Sequence, residues 1–409
     1  MPTPLLQRRT ICYLTISPTY RVHIAVTTRF LLPGNQLEGL GRYTYETLQQ
    51  LVKQHPECTF HFLFDRPYDP RYVFGPNVVP HVLLPPARHP LLMLAWYEGA
   101  VAWWLRRHRP AALLSPEAFT VLNTQVPRVM VVHDLAYLHR PHDVGGFMQR
   151  YYTYFMPRFA RAAQQLVAVS EATRQDLAHQ FELPAAAIQI AYNAPVAHFR
   201  PQPPAQQADV RARFSQGQPY FLFVGALQPR KNLGNLLRAF GLFKAQERVG
   251  ADSVQLLLVG REAWRAGPIF EAYQALPPAV QKDVHFTGRV KEEELVGLYA
   301  AALATVYVPF FEGFGLPIVE AQASGCPVLT SNLSSLPEVA GGTAAALLCD
   351  PHTPAAIAEG LHQLSQDSAL RERLRAAGLA NVARFSWARS AEVLWEAVRR
   401  AMQAAPVKA

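Results

Sequence analysis

The sequence predicts an α/β protein of two domains, each a parallel sheet with crossover helices, and three observations carry that expectation. The chain has 409 residues, more than a single hydrophobic core usually serves, so two domains and a cleft between them are expected. Short apolar runs alternate with helix-length amphipathic segments along most of it, as they do where strands are joined by crossover helices. The runs are continuous and rich in β-branched or aromatic residues, as strands buried on both faces are.

In the first half the expected strands are VHIAVTT (22–28), FHFLF (60–64), AALLS (111–115), RVMVVHD (128–134) and QLVAVS (165–170). The second half reopens with PYFLFVGAL (219–227), then VQLLLVG (254–260), VHFTG (284–288), LATVYVP (303–309) and CPVLTS (326–331). Between the halves, the prolines of FRPQPPAQQ disfavour both helix and strand pairing and place a linker near 199–209. The expected domains are therefore 1–200 and 201–384, followed by a C-terminal helix and tail, 385–409. In that tail Leu394, Trp395 and Val398 share one stripe of an amphipathic helix over 385–403. The segment 91–109 (LLMLAWYEGAVAWWLRRHR) sets aromatics beside arginines, which suits a headgroup interface. A helix packed on the first sheet before strand 111–115 is the reading preferred here.

Composition narrows the function. Half the residues are apolar and 17% are charged, and no run of eighteen apolar residues lacks a charge, which argues against disorder and against a spanning helix. The start, MPTPLLQRRTICYL, has no secretory pattern, so a cytoplasmic location is expected. Cys12, Cys58, Cys326 and Cys349 are far apart with no C-x-x-C, so neither disulfides nor a cysteine zinc site is expected. The net charge of +9 is uneven: residues 1–200 hold 19 Lys+Arg against 12 Asp+Glu, and residues 201–409 hold 20 against 18. A basic first half suits a phosphorylated substrate or an anionic membrane surface. Its scattered cations do not form the basic strip with interleaved aromatics that marks nucleic-acid proteins, and no nucleic-acid partner is expected.

The most informative run is Phe311-Glu312-Gly313-Phe314-Gly315-Leu316-Pro317-Ile318-Val319-Glu320, directly after strand 303–309. A glycine loop turns into a helix that Pro317 starts with its φ already set. The amides of Phe314, Gly315 and Leu316 then sit at a helix N-terminus, a natural site for a phosphate. Glu312 on the loop rim and Glu320 in the helix would flank that anion and bind sugar hydroxyls. A second signal, Gly225-Ala226-Leu227-Gln228-Pro229-Arg230-Lys231-Asn232, sets two cations at a strand-to-helix turn, where they can neutralise a diphosphate. Read alone, it is more readily a solvated basic turn with Asn232 as N-cap. In the first half Gly39-Leu40-Gly41-Arg42 opens a helix, with Thr44 where a dinucleotide fingerprint would have its third glycine. His133-Asp134 ends a strand at the sheet edge where ligands bind in open α/β folds. His139 and His142 lack a third ligand, and no metal is assigned.

Taken in order, H-D, V-S-E-A-T-R-Q-D-L (169–177), P-R-K-N, F-T-G-R-V (286–290), E-G-F-G-L-P-I-V-E and S-S-L-P-E-V-A-G (334–341) resemble the retaining nucleotide-sugar glycosyltransferases of family 4. The likeness spans nearly the whole chain and is strongest to bacterial mannosyltransferases of surface polysaccharide assembly. It implies the GT-B fold: two Rossmann-like domains facing across a deep cleft, with the C-terminal helix crossing back to the first. The N-terminal domain would take the acceptor and the C-terminal domain the nucleotide sugar.

The resemblance also implies roles. Arg230 and Lys231 would hold the donor diphosphate, helped by amides of Phe314, Gly315 and Leu316, at a turn opened by Gly225. Glu320 would hold the ribose, Glu312 the transferred sugar, and the backbone at Arg289 and Val290 the base. Gly39 to Gly41 would cover the phosphates and His133 would face the sugar. Many relatives carry an arginine where this chain has Ala226, a charge Arg230 would supply. With two cations at the phosphates, no metal and no cofactor beyond the nucleoside diphosphate sugar is expected. The acceptor would be a glycan or lipid-linked glycan, with peripheral membrane contact and a place at the inner face of the cell membrane. Outside this class, a dehydrogenase would need the full glycine fingerprint. A non-catalytic sugar- or lipid-binding protein need not keep Glu312, Arg230, Lys231 and Glu320 together. A hydrolysing nucleotide-sugar epimerase shares the architecture.

Overall fold

The computed structural model describes residues 21–34, 37, 39–247, 253–262 and 266–404. Its first sheet has seven strands, β1 (His23–Thr27), β2 (Thr59–Phe64), β3 (Val78–Val82), β4 (Ala112–Ser115), β5 (Arg128–Val132), β6 (Gln165–Ala168) and β7 (Ile188–Ile190), in the order β3-β2-β1-β4-β5-β6-β7. The second has six, β8 (Tyr220–Val224), β9 (Gln255–Val259), β10 (Val284–Gly288), β11 (Ala304–Tyr307), β12 (Val328–Ser331) and β13 (Leu347–Cys349), ordered β10-β9-β8-β11-β12-β13. Every strand pair is parallel. Each sheet reverses direction beside its first strand, β1 against β4 and β8 against β11, which opens a crevice at the carboxyl ends of those strands.

All ten expected strands form. The three that periodicity missed, β3, β7 and β13, are each the outermost strand of a sheet. They bury fewer residues than central strands do, and β3 carries Pro80, tolerated where one side of the ladder is unpaired. The linker is shorter than expected, because a helix runs over Pro204–Ser215 inside the span assigned to it. Pro204 lies in the first turn, where its missing amide hydrogen has no intrahelical partner to lose.

The C-terminal helix, Trp387–Gln403, returns to the first domain and packs on the helix Gly39–Gln54 and on β4 to β7. Ser386 caps it by accepting from the Arg389 amide. Its buried stripe is Trp387, Ala391, Leu394, Val398 and Ala401. Trp395 sits beside the stripe, stacked at 4.0 Å on His55. Cys58, Cys326 and Cys349 are buried thiols without a disulfide, and Cys12 lies outside the described residues. Among the described residues no helix is long and apolar enough to cross a membrane.

Candidate active site

The carboxyl ends of the two sheets enclose a cleft of ≈ 860 Å³. All four residues expected to act on the sugar and phosphate, His133, Arg230, Lys231 and Glu312, line it. So do the nine expected at the donor: Gly39, Gly41, Gly225, Arg289, Val290, Phe314, Gly315, Leu316 and Glu320.

The densest chemistry follows β8 and β11. Pro229–Lys231 forms one 3-10 turn, so Arg230 and Lys231 reach the same point. Arg230 Nη1 and Lys231 Nζ each donate to Glu312 Oε1 at 2.6 Å, and Lys231 Nζ also donates to the Tyr307 hydroxyl at 2.6 Å. Burial opposes the charge on Glu312, but the attraction of Arg230 and Lys231 outweighs it, and the carboxyl lies below its ordinary range. Glu312 in turn holds the Arg230 guanidinium charged, while burial lowers the Lys231 ammonium. The basic turn is therefore not a solvated one. Asn232 holds the N-cap position of the next helix without a side-chain capping bond; at φ 62° its buried side chain instead donates to the carbonyls of Val308 and Pro351 at 2.9 and 2.7 Å.

The glycine loop enters the helix Leu316–Ala323 through Gly315 at φ 102°, with Pro317 in the first turn. The leading amides of a helix have no intrahelical partner and point out of its end. Glu320 lies deeper, where Tyr299 donates a hydroxyl hydrogen to Oε2 at 3.0 Å. Burial raises its carboxyl from the ordinary 4.5 to about 7. Two carboxylates in one cleft thus titrate apart: its cations keep Glu312 ionised, and burial places the titration of Glu320 near neutrality.

From the first domain, the His133 Nε2 lies 2.8 Å from the Pro116 carbonyl. A carbonyl can only accept, so Nε2 carries the hydrogen and Nδ1 keeps a lone pair. Burial lowers the imidazole's basicity, which leaves it neutral. Gly39 to Gly41 are not a loop ahead of the helix but its first turn. A Cβ on Gly41 would stand 2.8 Å from the Phe30 carbonyl, so the residue is set by close backbone approach. Asn35, Gln36 and Glu38, just ahead of it, lie outside the described residues. His139 Nε2 donates to the Asp176 carboxylate at 2.7 Å, and its ring stacks on Phe311. No group of three or more potential metal-ligating side chains occurs among the described residues.

Several contributors had no role from sequence alone. Arg42 crosses the cleft to Glu292 at 2.7 Å, and Glu292 also meets His198 at 3.0 Å. The V-S-E-A-T and S-S-L-P-E segments prove to hold the domains together. Ser170 Oγ donates to the Gly313 carbonyl at 2.6 Å, and Thr173 Oγ1 reaches it at 3.2 Å. Glu338 accepts from the amides of Glu171 and Ala172 at 2.8 and 3.1 Å, at the start of the helix Glu171–Phe181, and from the Tyr192 hydroxyl at 2.8 Å. Ser335 Oγ donates to the Glu312 and Phe314 carbonyls at 2.9 and 3.0 Å and so fixes the glycine loop. A Cβ on Gly313 would lie 1.7 Å from the His133 carbonyl, so only glycine lets the loop meet the first domain.

Comparison with known proteins agrees with this geometry. A family model described as Glycosyltransferase Family 4 matches residues 37–194, and one described as Glycosyl transferases group 1 matches 206–380. The chain is 32% identical over 304 residues to O-antigen chain mannosyltransferase B of Escherichia coli, covering 73% of this chain and 78% of that one. It is 29% identical over 314 residues to D-inositol 3-phosphate glycosyltransferase of Corynebacterium jeikeium, covering 73% and 69%. Among solved structures, sucrose-phosphate synthase of Thermosynechococcus elongatus superposes with a TM-score of 0.73 at 18% identity, covering 93% of this chain and 98% of that one. Anabaena HepE in complex with UDP-glucose gives 0.69 at 16% identity, covering 92% and 99%. With two Rossmann-like domains, a charged cleft between them and a relative of this closeness, the chain belongs to the family 4 glycosyltransferases of GT-B fold.

Proposed function

We propose that the protein transfers a hexose, mannose from GDP-mannose, to a hydroxyl of a glycan or lipid-linked glycan, with retention at the anomeric carbon and without a metal. The observation that carries this reading is the convergence of Arg230 and Lys231 on one oxygen of Glu312, beside the N-terminus of Leu316–Ala323. A departing diphosphate gains negative charge as the glycosidic bond breaks, and fixed cations and amides stabilise it; losing one such donor typically costs about 3 kcal/mol of barrier. The ribose hydroxyls fall to Glu320 and the base to the backbone at Arg289 and Val290.

Both cations use Oε1 of Glu312. Oε2 then serves a sugar hydroxyl, and the His133 Nδ1 lone pair accepts from another on the opposite wall. The bond from C1 to the phosphate oxygen breaks and one from C1 to the acceptor oxygen forms on the same face. The acceptor proton passes to the departing phosphate oxygen, so no strong enzyme base is needed. Mannose is favoured over other hexoses by the likeness to the E. coli mannosyltransferase.

The test is a thermal-shift screen of guanosine, uridine, adenosine and thymidine diphosphates with and without magnesium, followed by proton NMR of the glycoside formed. A ligand at a hundred times its dissociation constant adds about 2.7 kcal/mol of stability. A guanosine-selective, magnesium-independent shift and an α-linked product from an α-linked donor are expected. A β-linked product would overturn retention; no shift with any nucleotide would overturn the donor site and favour a non-catalytic binding protein. Sugar release without acceptor, as the main product, would favour the hydrolysing epimerase.

A further inference from the structure

Ten of the twelve large apolar side chains exposed among the described residues belong to the first domain. Five of them stand on two neighbouring helical segments, Pro90–His108 and Gly146–Ala162. Inward residues of both, among them Trp96, Trp104, Tyr151 and Phe159, join one buried cluster, so the segments lie on the same side of the sheet. Their leading ends adjoin, with His89 and Phe147 rings 6.0 Å apart. The packing expected for 91–109 therefore holds for its inner face, while its outer face is left to a different use.

On that outer face the exposed positions are Leu91, Leu92, Ala95, Gly99, Trp103, Arg106, Arg107 and His108. The second segment exposes Phe147, Arg150, Tyr154, Arg158 and Arg161 at helical spacing, with the Arg158 guanidinium 3.6 Å over the Tyr154 ring. Gly146–Ala162 contains no acidic residue. The single acid of the other segment, Glu98, is turned inward and accepts from the amides of Leu122 and Asn123 at 2.7 and 2.9 Å. Surfaces facing water usually intersperse both signs of charge; these stripes keep only cations, set among aromatics and leucines.

We propose that this face docks the first domain on an anionic bilayer surface. Leu91, Leu92, Trp103 and Phe147 enter the boundary between headgroups and acyl chains, and Arg106, Arg107 and Arg150 pair with lipid phosphates. A nucleic acid is met chiefly through its phosphates and base edges, whereas a bilayer removes exposed leucine and aromatic side chains from water. Both segments begin at the carboxyl edge of the sheet, where the cleft opens, so docking brings the cleft mouth to the membrane surface. The inference does not depend on which sugar is transferred.

The test is flotation of the whole chain with vesicles of phosphatidylcholine alone and of phosphatidylcholine with phosphatidylglycerol. Binding to the anionic vesicles only, weakened by salt, is expected. Each arginine near such a surface accounts for about fivefold in partition, so Arg106→Ala with Arg107→Ala lowers binding about 25-fold. Leu91→Ser with Phe147→Ser, at positions 62% and 57% exposed, lowers it as well, and Leu242→Ser on the second domain leaves it unchanged. Nucleotide-induced thermal shifts stay as in the parent chain for every variant, which separates this face from the donor site. Absence of flotation on anionic vesicles, or flotation that the two double variants leave intact, overturns the proposal. Retention of a single-stranded oligonucleotide without flotation overturns it in favour of nucleic acid.

Discussion

The two walls of the cleft are built on opposite physics. The second-domain wall concentrates charge, with Arg230, Lys231 and Glu312 in mutual contact and Glu320 behind them. The first-domain wall beside it offers a neutral His133, the glycine-led first turn of Gly39–Gln54 and a helix whose hydroxyls reach across to a carbonyl. One wall acts by preorganised electrostatics and the other, apart from Asp134 and the Arg42 that pairs with Glu292, by how closely it can approach. Damage to the first kind of wall should remove donor binding and chemistry together, and damage to the second should spare donor binding while weakening turnover.

The sharpest way to break this contrast is at the cations. Arg230→Ala with Lys231→Ala is expected to lower kcat/KM by about a thousandfold or more, since each lost donor to a charged transition state typically costs 10²–10³. The nucleotide thermal shift should vanish with it. A variant that kept both would show that the charge sits in the wrong place. Next in size is Gly313→Ala, whose methyl group would meet the His133 carbonyl at 1.7 Å. It should cost about a hundredfold in kcat by displacing the loop, with nucleotide affinity, measured by calorimetry, changing much less. An equal loss of both would erase the distinction between the walls.

Ser170→Ala removes one buried hydrogen bond between the domains and should lower kcat about five- to tenfold, the effect of roughly 1 kcal/mol. Ser170→Thr, which keeps the hydroxyl, should recover part of it. The smallest effect is a pH dependence from Glu320. Burial lifts its pKa from 4.5 to about 7, so the folded chain holds this proton where the unfolded chain has lost it. The stability this protonation gives is complete below pH 4.5 and lost as pH rises through about 7. Ribose binding favours the ionised form, so nucleotide affinity should strengthen about tenfold between about pH 6 and pH 8. Glu320→Gln should flatten that part of the profile, with the nucleotide's own titration left as the baseline; an unchanged profile would place the ribose elsewhere.

Much of the site was legible because its signals are local. A strand followed by Gly-Phe-Gly-Leu-Pro must turn into a helix with its amides outward, whatever surrounds it. Arg230 and Lys231 were legible as a cation pair, but the same turn was open to a solvated reading until Glu312 and Tyr307 were seen to meet it. The strands that escaped, β3, β7 and β13, are short edges with less burial, and Pro80 masks one of them. Arg42 escaped because its partner Glu292 lies 250 residues away.

Sequence by itself therefore determined the alternation of strands and helices, the turn that ends each central strand, and the kinds of charge those turns carry. These follow from residue period, backbone freedom and side-chain chemistry, which act over a few residues. Tertiary structure alone decided that Glu338 would take the amides of Glu171 and Ala172, 167 and 166 residues away, and that Gly313 would rest on the His133 carbonyl. It also decided the titration contrast between Glu312 and Glu320, since burial and neighbouring charge set a carboxyl's pKa and neither exists before the chain folds.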